Sequence, residues 1–301
     1  MAGPFTHFLV CQAASDPKFA ETLGFSISTT LRDLLIEYQD FLLLGSVGPD
    51  LPALYDKVAS EKWSDAFHNG ATTNATVLNA YSDLKAVQCM DARLAFLLGY
   101  VGHMVTDAVI NPIVGLANPT KDSTVHRECE ICQDTLVFKA RQHSDLTRAD
   151  FTDWLARCKD DDPGVFDQVM VQWELAIKKA YPACPNESKT WFTCYVDAIE
   201  VAEGFPLKFN GYTYQEASKI SASERSTYYD NVLVPAPEGK RGNFYDEGFI
   251  RSVRNVLKVW LPLFQRYLDP ANHNPINDLV PRWNLDNGTN MDTQKPNDLW
   301  S

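Results

Sequence analysis

His103 and Asp107 lie four residues apart in Gly99-Tyr-Val-Gly-His-Met-Val-Thr-Asp107, and His126 and Glu130 repeat that spacing in His126-Arg-Glu-Cys-Glu130. In a helix, a separation of four puts both side chains on one face, one turn apart. An imidazole nitrogen and a carboxylate oxygen so arranged can share an ion held about 2 Å from each. The chain has six histidines in 301 residues, and His7 and His68 lie upstream together with Asp50. Together these positions read as a multinuclear metal centre. Each alone has a plainer reading: a buried His–Asp hydrogen bond, a solvated helix pair, or a turn-forming aspartate after Gly48-Pro49.

The elements that would carry these residues are helical. Leu94, Leu97, Leu98, Val101 and Val105 mark a helix apolar nearly all round, so His103 and Asp107 within it must be satisfied or bind metal. Asn111-Pro112 is expected to end or bend that helix one turn later. Leu31, Leu34, Leu35, Tyr38, Leu42 and Leu43 predict a helix over 29–44, closed by Gly45 and Gly48-Pro49. Further helices are expected over 121–142, from about Thr147 with Asp150 three residues on, over 164–180 and over 245–268. Asp134 continues the face of His126 and Glu130. Strand signals are nearly absent, with one weak candidate at Asn231-Val-Leu-Val-Pro235. The fold class is therefore all-α, in a single multi-helix domain over 1–301. Residues 204–244, with Tyr212, Tyr214, Tyr228 and Tyr229, read as an irregular loop, and the chain from about 284 as a polar, extended or frayed tail.

Composition narrows the function classes. An apolar content of 45% supports a large core, and a net charge of -12 argues against sequence-independent binding to duplex nucleic acid. Seven cysteines cannot form a complete disulfide framework, which favours a reduced, cytoplasmic protein. The start of the chain lacks a basic-then-apolar secretory pattern. No apolar run reaches bilayer length, Leu94–Val105 being too short, so no transmembrane segment is expected. Cys129-x-x-Cys132 reads as an incidental pair of thiols, and His143 and His273 as structural.

The order Thr6-His7, Gly48-Pro49-Asp50, His68, Gly99-Tyr-x-x-His103-x-x-x-Asp107 and His126-x-x-x-Glu130 resembles the zinc-dependent phospholipase C family. That superfamily includes single-strand nucleases and the catalytic domain of glycosylphosphatidylinositol-specific phospholipase D. The matching residues span roughly the first 135 positions. The resemblance implies an all-helical fold holding two or three zinc ions in a cleft. Asp50, His68, His103 and Asp107 would hold the first. Asp107 would bridge to a second, held also by His7 and by the amine of Ala2 once the initiator methionine is removed. His126 and Glu130 would hold the third, where Asn111 replaces a family histidine and Asp134 could be recruited.

The implied activity is phosphodiester hydrolysis by a metal-bound hydroxide, with Asp50 orienting the nucleophile. The substrate would be a lipid-like or small phosphoester, an apolar entrance favouring lipid and aromatic platforms such as Trp63 or the tyrosine cluster favouring bases. A nuclease or nucleotidase, a metal-binding protein without hydrolysis, and a repurposed enzyme remain alternatives, and the oligomeric state stays open.

Overall fold

The computed structural model describes residues 2–55, 57–69, 72–84, 89–144, 146–203, 208–209, 212–213, 221–235, 240–270 and 276–300. The expected helices are there, with several more. The N-terminal helix α1, Pro4–Ser15, starts on a proline, whose fixed φ suits the first helical position. It is followed by α2 Pro17–Thr22, α3 Thr29–Glu37, α4 Gln39–Ser46, a 3₁₀ helix Gly48–Leu54, α5 Lys57–Asn69 and α6 Ala75–Asp83. Then come α7 Met90–Ala117, α8 Ser123–Gln142, α9 Phe151–Asp160, α10 Pro163–Ala180, α11 Ser188–Glu203 and a late helix, Arg251–Leu268.

Several expectations need correction. The single helix over 29–44 is two, broken at Tyr38 (φ −113°, ψ 35°). The α3 segment buries only the stripe Leu31, Leu34 and Leu35, whereas α4 is buried all round from Phe41 to Ser46. A straight helix keeps one face inward, so the break redirects the chain into the core. The helix expected from Thr147 begins instead at Phe151, with Asp150 at the N-cap position. Leu146 is anchored in the core, and the chain makes a 3₁₀ turn over Leu146–Arg148 first.

Asn111-Pro112 does not end α7 either. A proline in a helix orphans the carbonyl four residues earlier, here Ala108. The Asn297 side-chain amide donates to that carbonyl at 2.9 Å, so the helix runs on to Ala117. With 28 residues and a mean hydropathy of 1.3 in its most apolar stretch, α7 is long and apolar enough to cross a membrane, contrary to the length read from Leu94–Val105. That stretch is wholly buried inside the protein, as a central core helix would be.

The polar C-terminal segment from about 284 is docked rather than frayed. The strands Trp283–Asn284, Thr289–Asn290 and Lys295–Pro296 form an antiparallel three-stranded sheet, with Trp283 opposite Asn290 and Thr289 opposite Pro296. Trp283, Leu285 and Asn297 are buried. Thr73 Oγ1 donates to the Trp283 carbonyl, and Leu285 N–H donates to the His68 carbonyl at 2.9 Å. The segment thus ties α5 to α7.

Within 204–244 the described residues form two small hairpins. Lys208–Phe209 pairs with Tyr212–Thr213, and Val232–Leu233, inside the weak strand candidate, pairs with Arg241–Gly242. Tyr228 and Tyr229 are buried in a π-helical turn over Ser226–Asp230, Tyr229 packing on Phe244 at 6.0 Å. Tyr214 and His273 lie outside the described residues.

Two glycines set how closely α4 and α7 approach. A Cβ on Gly45 would run into the Phe96 carbonyl, and one on Gly99 into the Leu42 carbonyl. Without them the backbones could not touch, and the C-terminal end of α4 would not reach the middle of α7.

Candidate metal centre

The C-terminal end of α4 presents the Ser46 carbonyl, one of the acceptors a helix leaves unused in its last turn. His103 Nδ1 lies 2.9 Å from it. On α5, His68 Nδ1 lies 2.7 Å from the Ser64 carbonyl. A carbonyl can only accept, so in both rings Nδ1 carries the proton and donates. Both Nε2 atoms are then bare lone pairs in the neutral rings, and they face each other at 3.1 Å. Two lone pairs at that distance repel unless a cation lies between them.

Carboxylates complete the arrangement. Asp107 Oδ2 is 3.3 Å from both His68 Nε2 and His103 Nε2, and Asp50 Oδ1 is 3.3 Å from His68 Nε2. Asp50 arrives from the 3₁₀ helix, where Pro49 and Pro52 fix the turn. Asp107 turns its other oxygen to a second group. Oδ1 lies 3.3 Å from His7 Nε2 and accepts from the Ala2 nitrogen at 3.0 Å. The His7 ring stacks on His103 with centroids 4.0 Å apart, and neither of its nitrogens has a hydrogen-bond partner. The sequence-identified residues Ala2, His7, Asp50, His68, His103 and Asp107 therefore converge, with Asp107 between two donor sets.

The donor set fits zinc. Ligand atoms about 2.0–2.1 Å from a tetrahedral zinc lie about 3.3 Å from one another, which matches the separations here. All these side chains are buried, and Asp50 Oδ1 and Asp107 Oδ2 lack hydrogen-bond donors. Histidines whose Nδ1–H is fixed by a carbonyl are the usual form of a metal-ligating imidazole.

Electrostatics express the same demand for positive charge. Burial pushes the Asp107 carboxyl up, but the surrounding His103, His68 and His7 rings outweigh it and hold the group well below the carboxylate range. Asp50 is lowered by the same contest between burial and the three rings. Burial lowers His68, yet its contacts with Asp107 and Asp50 raise it well above an ordinary histidine. His103 is lowered, by burial first and by His7 second.

The third group is separate. His126 Nε2 lies 2.9 Å from Glu130 Oε1 on α8, so the i,i+4 pair forms as expected. Arg127 donates to the other oxygen at 2.7 Å. Burial would raise Glu130, but Arg127, the chain's N-terminus and His126 bring it down to about 2. Asn111 donates its amide to the Leu285 carbonyl at 2.7 Å, leaving a buried Oδ1 without a partner. Asp134 does not stand free for recruitment: its Oδ1 accepts from both the Thr6 N–H and the Thr6 hydroxyl.

His68, Asn111 and His126 all line one cleft of about 1070 Å³. Its other described walls combine Leu116, Leu233, Val234 and Pro235 with Asn118, Lys121, Arg127 and Asn284. Trp63, Tyr228 and Tyr229 do not line it, Trp63 packing edge-on against Tyr181 instead. Cys129 and Cys132 are buried free thiols, and His143 caps α8 with a left-handed φ of 51°.

A family model described as zinc dependent phospholipase C matches residues 6–183, more than half of the 301. The chain belongs to the zinc-dependent phospholipase C family. No curated protein and no solved structure matches it. Against the family frame, the sequence missed those groups that carry no side-chain signature. The Ser46 and Ser64 carbonyls orient the two central imidazoles, but any residue type could supply them. Arg127 was visible beside His126, yet its pairing with Glu130 depends on the helix turn. Asn284, Asp286 and Asn287 line the cleft only because the C-terminal segment folds back.

Proposed function

We propose that this family member is a zinc-dependent phosphoesterase that hydrolyses the phosphodiester of a lipid-like or small substrate. The observation that carries the reading is the pair of His68 and His103 lone pairs converging with Asp50 and Asp107 behind a large cleft. Asp50, His68, His103 and Asp107 would hold one ion; Asp107, His7 and the Ala2 nitrogen a second; His126, Glu130 and the Asn111 amide oxygen a third, weaker one. An amide oxygen is a poorer zinc ligand than an imidazole. The Ala2 contribution requires that Met1 be removed, which would turn a nitrogen 3.0 Å from Asp107 into a free amine. When bound, paired zinc ions lower the pKa of a water to near neutrality and offset the charge of a phosphate.

The chain's own groups define the rest. Asp50, with an oxygen lacking a donor, would orient the attacking water. Lys121 and Arg127 line the cleft and would draw in an anionic phosphate. Leu116, Leu233, Val234 and Pro235 offer an apolar wall, and no aromatic side chain lines the cleft among the described residues. Base-stacking nucleases rely on aromatic platforms, so this lining favours a lipid-like or small phosphoester over a nucleic acid.

The test combines zinc content, by elemental analysis of untagged protein, with turnover of a phosphodiester panel. More than one zinc per chain with phosphodiester turnover is expected. His103→Ala should cost activity by more than about 100-fold, beyond what the hydrogen-bond partners of metal ligands contribute. A His103→Ala protein with normal zinc content would overturn the ligand assignment. Full loading without turnover would select a metal-binding protein, and cleavage of single-stranded nucleic acid alone would select a nuclease.

A further inference from the structure

Asp134 is fully buried on α8, one helical turn beyond Glu130 and two beyond His126. The ligand sets above do not use it. Its contacts are at the start of α1, far along the chain. The Thr6 N–H donates to Oδ1 at 2.8 Å, and the Thr6 hydroxyl donates to the same oxygen at 2.6 Å. Accepting the N–H of the third helical residue is what a helix's own N-cap side chain ordinarily does. The N-cap of α1 is Gly3, which has no side chain to offer. Asp134 therefore caps α1 from another helix, and its charge faces the positive end of the α1 dipole.

Gly3 belongs to the same device. Its φ of −69° and ψ of 158° suit any residue, so backbone freedom does not explain a glycine there. A Cβ on Gly3 would instead run into the Asp134 carboxylate. The residues flanking this contact are Ala2 and His7, whose nitrogens lie 3.0 Å and 3.3 Å from Asp107 Oδ1. A chain end is ordinarily poorly ordered unless it is tied down. Metal ligands, by contrast, must be held within about 0.5 Å of their working positions.

We propose that Asp134 is a positioning residue for the second metal site. By capping α1 it fixes the start of the chain, so that the Ala2 nitrogen and His7 reach Asp107 together. The inference rests on the phosphoesterase reading, in which Asp107, His7 and the Ala2 amine hold an ion. Asp134 acts through α1 and is not itself a ligand.

The test is removal of zinc from loaded protein by graded chelator, using chains that intact mass shows to begin at Ala2. Melting of each variant in excess chelator is measured alongside. In Asp134→Leu one ion should bind at least about tenfold more weakly, the low end of what outer partners of metal ligands contribute. The ion held by His68 and His103 should keep its affinity. Asp134→Asn, which retains an oxygen for Thr6, should restore most of the loss. Gly3→Ala, which displaces the carboxylate without removing it, should weaken the same ion and serves if Asp134→Leu fails to fold. A merely structural cap would lower the zinc-free melting temperature and leave every affinity unchanged, and that result overturns the proposal. Equal losses in Asp134→Asn and Asp134→Leu overturn it too. A wild type that holds no second ion sinks the metal reading and this proposal together, whereas indifferent variants of a fully loaded wild type sink this proposal alone.

Discussion

At the residue scale, the decisive contact is between two ring nitrogens that cannot hydrogen-bond to each other while both rings are neutral. His68 and His103 each spend their one proton on a backbone carbonyl and point lone pairs at each other across 3.1 Å. The four-residue spacing of His103 and Asp107 announced a shared helix face, but not which tautomer either histidine adopts. Asn111 makes a sharper case. Its amide holds the Leu285 carbonyl while its oxygen has no partner. An imidazole could make the same donation through one nitrogen and present the other to the cleft. Asn111→His should therefore tighten an additional zinc without loosening the C-terminal segment. Zinc titration monitored by elemental analysis checks it, and unchanged stoichiometry and affinity would mean Asn111 does not face an ion.

At the element scale, α7 continues past Pro112 because another part of the chain replaces the lost hydrogen bond. Asn297→Ala should leave the Ala108 carbonyl buried and unsatisfied, costing about 1–3 kcal/mol. Adding Pro112→Ala restores an N–H within the helix and should recover part of that loss in chemical denaturation. Additive losses in the double variant would refute the compensation. A second coupling holds the hairpin of Val232–Leu233 and Arg241–Gly242 to the late helix. Glu247 accepts from Lys240 at 3.0 Å and Arg251 at 2.7 Å. Burial alone would raise its carboxyl, but Arg251 and Lys240 lower it.

A carboxyl lowered in the folded state stabilises above its unfolded value of about 4.3, and that contribution fades as pH falls through the folded value. Glu247→Gln should therefore destabilise by up to about 1 kcal/mol near pH 7, and the gap from the wild type should close in melts below about pH 4. A gap that stays constant with pH would show that the ion pairs contribute nothing.

At the scale of the whole molecule, α4, α5, α7, the 3₁₀ helix and the chain start all meet at one buried cluster of histidines and carboxylates. A metal that binds only the folded state adds stability by mass action, about 2.7 kcal/mol at a hundredfold excess over Kd. Chelation should accordingly lower the melting temperature by roughly 5 °C or more, and zinc should restore it where magnesium does not. A melt indifferent to chelator would mean the cluster folds without an ion.

The sequence by itself determined the helical class, the central apolar helix and the residues His7, Asp50, His68, His103 and Asp107 that meet there, and the family resemblance added Ala2. Side-chain chemistry and helical spacing are local, and they survive in one dimension. It misjudged the break at Tyr38, the passage through Pro112 and the docked C-terminal sheet, because each depends on a partner far along the chain. Only the tertiary structure decided that Asp134 is held by Thr6 and that Glu130 is shared between His126 and Arg127. Which groups satisfy one another depends on through-space distance, and residues 108 and 297 become neighbours only when the chain folds.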